Sequence, residues 1–212
     1  EAALARVARN RGAAGVDRQT VAAFAQRADA ELARLGAALR AGTYRPQAVR
    51  RVHIPKPGTR QTRPLGIPTV RDRVVQTALR AVLEPIFERD FHPRSFGFRP
   101  GRGCKDALRE VDRLLNAGYV HAVDADLKGY FDAIPHAPLM AHVRKKVADG
   151  RVLALLEAFL SQSVFEGLET WTPEEGTPQG AVMSPLLANV YLDPLDHLLS
   201  AAGFEAVRYA DD

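Results

Sequence analysis

Apolar positions recur at helical spacing from Thr20 to Ala41, where Val21, Phe24, Ala28, Leu32, Leu35 and Leu39 form one stripe. Thr20 offers an N-cap and Gly42 lies just past the end, so the spacing predicts one amphipathic helix. Val49, Val52 and Ile54 then carry strand character, Pro55, Pro57 and Gly58 force a turn, and Pro64, Gly66 and Pro68 keep the next stretch extended. Helical period resumes with Val74, Val75, Ala78, Leu79, Val82, Leu83 and Ile86, and Pro85 is expected to kink or end that helix. After an Arg-, Pro-, Gly- and Phe-rich loop over 91–103, Lys105 to Asn116 reads as a helix with Leu108, Val111, Leu114 and Leu115 on its apolar side. Tyr119 to Leu127 and Phe204 to Tyr209 read as strands, and Pro138 to Ser161 as helix broken at Gly150. Glu166 to Gly180 reads as a turn-rich connection containing a hairpin. Ser184-Pro185 has the N-cap and first-turn signature of a helix reaching about Ser200. Strands and helices do not strictly alternate, which argues for an α+β fold.

Composition narrows the class. The chain has 212 residues, 46% hydrophobic and 25% charged, the proportions of a globular protein able to bury a core. No apolar run approaches the ~20 residues a membrane helix needs, and no signal peptide is visible, so a cytoplasmic protein is expected. Cys104 is the only cysteine, so no internal disulfide can form. The histidines show no metal-ligand spacing, and no phosphate-binding P-loop motif occurs. The net charge of +4 conceals a partition. Residues 44–105 hold fourteen Lys or Arg against four acidic side chains, whereas 106–212 hold eight basic against seventeen acidic. A basic middle third suits a polyanion gripped through phosphate contacts, and an acidic last third suits divalent metal.

Three carboxylates stand at predicted strand ends: Asp126, and the pair Asp211 and Asp212. Gathering carboxylates is costly unless a cation compensates, and oxygen-only ligands suit a hard ion such as Mg²⁺. On residue type alone they equally fit solvated strand ends.

The surrounding residues decide between these readings. Tyr209-Ala210-Asp211-Asp212 resembles the catalytic hairpin of reverse transcriptases, and Asp126-Leu127-Lys128-Gly129-Tyr130-Phe131-Asp132 resembles that family's first catalytic motif. Gly176-Thr177-Pro178-Gln179-Gly180, running on through Ser184-Pro185-Leu186-Leu187-Ala188-Asn189, is similar to its primer- and nucleotide-contacting motif. Arg51-Val52-His53-Ile54-Pro55-Lys56, Arg63-Pro64-Leu65-Gly66-Ile67-Pro68 and Ser95-Phe96-Gly97-Phe98-Arg99-Pro100-Gly101 are similar to its fingers blocks. Gly12 to Asp17 and Gly42-Thr43-Tyr44-Arg45-Pro46 resemble the N-terminal extension of bacterial group II intron-encoded proteins.

The resemblance implies right-hand polymerase fingers and a partial palm: an N-terminal extension over 1–45, fingers over 46–118, and an incomplete palm over 119–212 with a fingers-like insertion around 138–175. It implies an RNA-directed DNA polymerase of group II intron type, working on RNA template, DNA primer and dNTP, with intron RNA as a further partner. Asp126, Asp211 and Asp212 would hold two Mg²⁺ ions, and Lys56 and Arg63 would grip the triphosphate. Phe131 would be the steric gate against a ribose 2′-OH, and Gln179 and Gly180 would pack against the nucleotide. Arg51, Arg94, Arg99 and Arg102 are expected on the nucleic-acid surface. Two alternatives stay open: an RNA-binding splicing module without catalysis, and a retron, diversity-generating or CRISPR-associated reverse transcriptase. The chain starts at Glu1 and stops on the second aspartate of the catalytic motif, so it reads as a piece lacking a thumb. Made alone, it is expected to extend primers poorly or not at all.

Overall fold

The chain opens with helix α1 (Ala2–Arg9), whose Leu4 and Val7 enter the core. A computed structural model describes residues 1–55, 58 and 61–212. Thr20 caps the next helix as its pattern requires, its hydroxyl accepting from the Ala23 N–H at 3.1 Å. The single helix expected over 20–41 is instead two, α2 (Val21–Ala25) and α3 (Ala28–Arg40). The break at Gln26-Arg27 lets Phe24 and Leu35 reach the core separately.

Strands β1 (Val49–Pro55) and β2 (Thr62–Ile67) form the predicted hairpin, in register from Arg50 opposite Ile67 to Pro55 opposite Thr62. Helix α4 (Val70–Glu88) is capped by the Thr69 hydroxyl. It continues past Pro85 to Glu88, so the proline does not end it. Ala81, Val82 and Pro85 are all exposed, so water meets the Ala81 carbonyl that the missing N–H would otherwise have bonded. Helix α5 (Cys104–Asn116) buries Ala107 and Leu114, but Leu108, Val111 and Leu115 on its apolar side remain open.

Residues 119–127 do not form the expected strand; they are irregular and exposed, Val123 almost completely. Their β-branched pattern meets no ladder, and the segment's tie to the chain's end is one backbone bond, Leu127 N–H to Asp211 O at 3.3 Å. A 3₁₀ turn (Tyr130–Asp132) follows, then α6 (His136–Arg144) and α7 (Gly150–Leu160), the latter capped by Asp149. The expected hairpin is β3 (Val164–Glu166) with β4 (Glu169–Trp171), and the four-stranded sheet has the order β2-β1-β3-β4, with β1 and β3 parallel. Helix α8 (Ser184–Ala201) begins one residue earlier than its sequence signature suggests, with Met183 at the N-cap and the Ser184 hydroxyl donating to the Pro178 carbonyl. Residues 204–209 run extended without a strand ladder, contributing a single parallel bridge between Arg208 and Ser95. The core lies where α4, α6, α7 and α8 meet, around Leu83, Leu139, Val143, Leu156, Leu187 and Val190. No helix among the described residues is long and apolar enough to cross a membrane.

Candidate active site

The four terminal residues close a turn. Tyr209 N–H donates to Asp212 O at 2.8 Å and Asp212 N–H returns to Tyr209 O at 3.2 Å, leaving Ala210 and Asp211 at the tip. Such a two-residue loop needs left-handed backbone, and Ala210 adopts φ +65°. Ala210 is buried against Gly97: a Cβ on Gly97 would lie 2.1 Å from the Ala210 nitrogen and 2.7 Å from its Cα. Only a glycine allows that approach.

The turn carries Asp211 and Asp212 to Asp126. Burial, the charges of Asp211, Asp126 and Asp124, and a hydrogen bond with the Asp126 side chain raise the Asp212 carboxyl above its ordinary value. Mutual repulsion among oxygen donors is the condition a hard divalent cation relieves, so the donor set fits Mg²⁺ in kind. Among the described residues the carboxylates are not drawn into a group of three already spaced as a coordination shell.

Phe131 is half-buried, edge-on to Phe98 at 5.9 Å and to Tyr130 at 5.7 Å. Tyr130 anchors this turn to α8 by donating to the Ala188 carbonyl at 2.7 Å, and burial raises its phenol well above its usual value. The loop before α8 is stitched to the same turn: Thr177 N–H donates to Phe131 O at 2.6 Å and Gly176 N–H to Ile134 O at 2.7 Å. Gly176, at φ +87°, lies so close to Asp132 that a Cβ would meet its carbonyl oxygen at 2.7 Å. Gln179 donates its amide to Asp132 at 3.3 Å, and its carbonyl accepts from Gly66 N–H on β2 at 2.6 Å. Gly180, expected to let backbone approach substrate, here lets the loop approach the β2 strand: a Cβ would meet the Gly66 carbonyl at 2.6 Å. The fingers-side hairpin, the Gln179 loop, the Phe131 turn and the Asp211 turn therefore form one continuous packed series.

Arg51 lies over the Trp171 ring at 5.0 Å, and its charge opposes the rise that burial imposes on the Asp132 carboxyl. Arg63 is exposed on β2, opposite Ile54. Lys56 lies outside the described residues. The three arginines of the 91–103 loop are engaged internally. Arg99 is buried, paired with Glu88 and donating to the His92 and Ser95 carbonyls at 2.7 Å, so it folds the loop and does not offer its guanidinium to a strand. Arg94 pairs with Glu110 and Glu205, and Arg102 donates to the Pro93 carbonyl. An open cleft of about 510 Å³ beside α2 and α3 is lined by Arg18, Arg27, Arg34 and Arg71 together with Asp17 and Glu31, the last paired with Arg34 at 3.6 Å. Asn189 and Asp132 stand in the motifs above without a role of their own, and Arg208 and Asp196 carry no expectation from sequence; the structure gives all four partners. The signals were present: a lone cation inside the apolar segment 206–210, and two polar residues seven apart on one face of α8.

The fold and the placement of these motifs define a nucleic-acid polymerase palm joined to a fingers hairpin. Residues 54–212 match the family model described as reverse transcriptase (RNA-dependent DNA polymerase), and the chain belongs to that family. It is 43% identical over 158 residues to the group II intron-encoded protein LtrA of Lactococcus lactis subsp. cremoris, covering 74% of this chain and 26% of LtrA. It is 40% identical over 189 residues to protein YkfC of Escherichia coli K12, covering 87% of this chain and 49% of YkfC. The chain thus spans between a quarter and a half of these curated relatives. Among solved structures, the reverse transcriptase-containing chain of a partial Cas6-RT-Cas1–Cas2 complex superposes with TM-score 0.59 at 23% identity, covering all of this chain and 36% of that one. Telomerase from Candida albicans superposes with TM-score 0.53 at 13% identity over 81% of this chain and 38% of that one. At those identities the likeness is one of fold.

Proposed function

We propose that this chain is the fingers and palm portion of an RNA-directed DNA polymerase of group II intron type, adding dNTPs to a primer 3′-OH on an RNA template. The observation that supports this most is the gathering of Asp126 with the closed turn bearing Asp211 and Asp212, packed in series with Phe131 and Gln179. In this reading 1–45 is an extension, 46–118 fingers and 119–212 palm. Asp126, Asp211 and Asp212 would hold two Mg²⁺ ions, which would supply charge stabilisation for the attacking and leaving oxygens. Arg63 draws in the triphosphate from β2, where its guanidinium is suited to pairing with phosphate oxygens, and the sequence motif assigns Lys56 the same task. Gln179, steadied by Asp132, orients the nucleotide, and Phe131 occupies the space a ribose 2′-OH would need. Arg51, with the arginine-bearing cleft beside α2 and α3, grips template and intron RNA through phosphate contacts, whereas Arg94 and Arg102, already tied to Glu110, Glu205 and the Pro93 carbonyl, hold the 91–103 loop in shape. Catalysis by these side chains is positioning and charge stabilisation.

The test is Phe131→Ala in the complete natural protein, assayed for dNTP against rNTP incorporation on an RNA template. Discrimination against rNTP should relax by at least about tenfold. Unchanged discrimination would refute the gate, and absence of any synthesis by the unaltered protein would move the weight to a splicing module that only binds RNA.

A further inference from the structure

The Arg208 guanidinium is buried and uses every nitrogen. Nε donates to both Asp196 oxygens at 2.8 and 3.1 Å, Nη1 to Asn189 Oδ1 at 2.9 Å and the Ala210 carbonyl at 2.6 Å, and Nη2 to Ser95 Oγ at 2.8 Å and Asp196 Oδ2 at 2.6 Å. Asn189 completes the circuit by donating its amide to the Gly97 carbonyl at 2.9 Å. The backbone adds two ties, Phe96 N–H to Arg208 O at 2.9 Å and Arg208 N–H to Arg94 O at 3.0 Å. Ser95 and Asn189 are fully enclosed, and Asp196 is 4% exposed.

A buried cation with a bidentate partner and three further acceptors has one arrangement in which no charge or amide is stranded. Sliding the carboxylate turn by even one hydrogen-bond length would break the Ala210 bond and strand a donor in a dry site. Three separate pieces of chain converge on this one side chain: α8 through Asn189 and Asp196, the 94–97 loop through Ser95 and Gly97, and the turn through Ala210.

We propose that Arg208, with Asp196, Asn189 and Ser95, is a positioning device that locks the Asp211–Asp212 turn to the 94–97 loop, so that the two move as one body. This rests on the polymerase reading above. The device touches no substrate; it acts through where it holds the two carboxylates.

The experiment uses Arg208→Lys and Ser95→Ala in the complete natural protein, with Asp211→Asn alongside. Lysine keeps one contact with Asp196 but cannot reach the other acceptors together, and Ser95→Ala removes one acceptor at little change of volume. Hydrogen exchange at the amides of 208–212 and of 95–98 is followed, together with Mn²⁺ binding by electron paramagnetic resonance, RNA affinity, and kcat and KM for dNTP. Exchange should quicken in both segments together, Mn²⁺ affinity should fall severalfold, and kcat should fall about tenfold with RNA affinity and KM within about twofold. Unchanged exchange and kcat in folded variants, or an effect confined to KM or RNA affinity, would overturn the proposal. Should Arg208→Lys fail to fold, Ser95→Ala decides by the same readouts. Full synthesis by Asp211→Asn would instead overturn the metal-holding role of the turn on which the device depends, and no synthesis by the unaltered protein would overturn the polymerase reading.

Discussion

Replacing Gly97 by alanine perturbs the candidate site through a single methyl group. Gly97 does not use left-handed backbone, so the change brings no conformational penalty of its own, and its effect is steric. The new Cβ would stand 2.1 Å from the Ala210 nitrogen, roughly 1.4 Å inside the ~3.5 Å of an ordinary van der Waals contact. The opposing atoms are backbone, at 2.7 Å for Cα as well, so no side chain can swing aside. Either the loop or the turn must retreat, and the turn that retreats carries Asp211 and Asp212. Overpacking of this kind costs about 1–3 kcal/mol of stability, and a displacement near 1 Å at reacting groups can cost about 10²-fold in rate. Single-turnover primer extension by the complete natural protein, with RNA affinity and thermal melting measured on the same preparation, reads both. The expected result is a rate loss near two orders of magnitude with RNA affinity retained. A variant extending primers within twofold of the unaltered protein would refute the argued contact between the loop and the carboxylate turn.

Two further outcomes follow from the same geometry. Arg99→Ala should destabilise the fold by about 2 kcal/mol, because it removes the partner of part-buried Glu88 and the donor to the His92 carbonyl and leaves the Ser95 carbonyl only its longer bond from Arg102; urea denaturation checks this, and a loss under about 0.5 kcal/mol would show the loop does not depend on it. The Asp212 carboxyl is raised in the folded chain by burial and by its carboxylate neighbours, so its contribution to stability is present below the ordinary aspartate range and is lost as pH rises through the raised value. Thermal melts without divalent metal should therefore fall across that interval. Added Mg²⁺ should restore them, and Asp212→Asn should flatten both effects; identical curves with and without Mg²⁺ would contradict the carboxylate cluster.

What could be read from the sequence was what depends on near neighbours. The Thr20 cap, the strand and turn signals that become the β1–β2 hairpin, and the β3–β4 hairpin are local, set by spacing and turn chemistry, whereas the Tyr209–Asp212 turn is legible only through the motif it resembles. Residues 119–127 misled because β-branched residues make a strand only where another strand offers a ladder, and here Val120 and Val123 stand in solvent. Pro85 does not end its helix because a proline is tolerated where the orphaned carbonyl faces water. Arg99 and Arg208 were the least legible. Arg208 lies in apolar text and one of its partners, Ser95, is more than a hundred residues away in the chain; Arg99 lies in basic text, and its partners Glu88, His92 and Ser95 are near in sequence but meet it only through the fold of the loop. The approach of Gly97 to Ala210 is hidden for the same reason, since the motif supplies both residues and only the fold brings them together.

The central claim is that Asp126 and the Asp211–Asp212 turn form one metal-holding centre for DNA synthesis. The measurement that tests it most directly is primer extension on an RNA template by Asp126→Ala in the complete natural protein, with RNA affinity measured in parallel. Synthesis should be abolished while RNA affinity stays within about twofold, since the proposal assigns RNA binding to arginines and not to this carboxylate. Extension at the unaltered rate would contradict the claim.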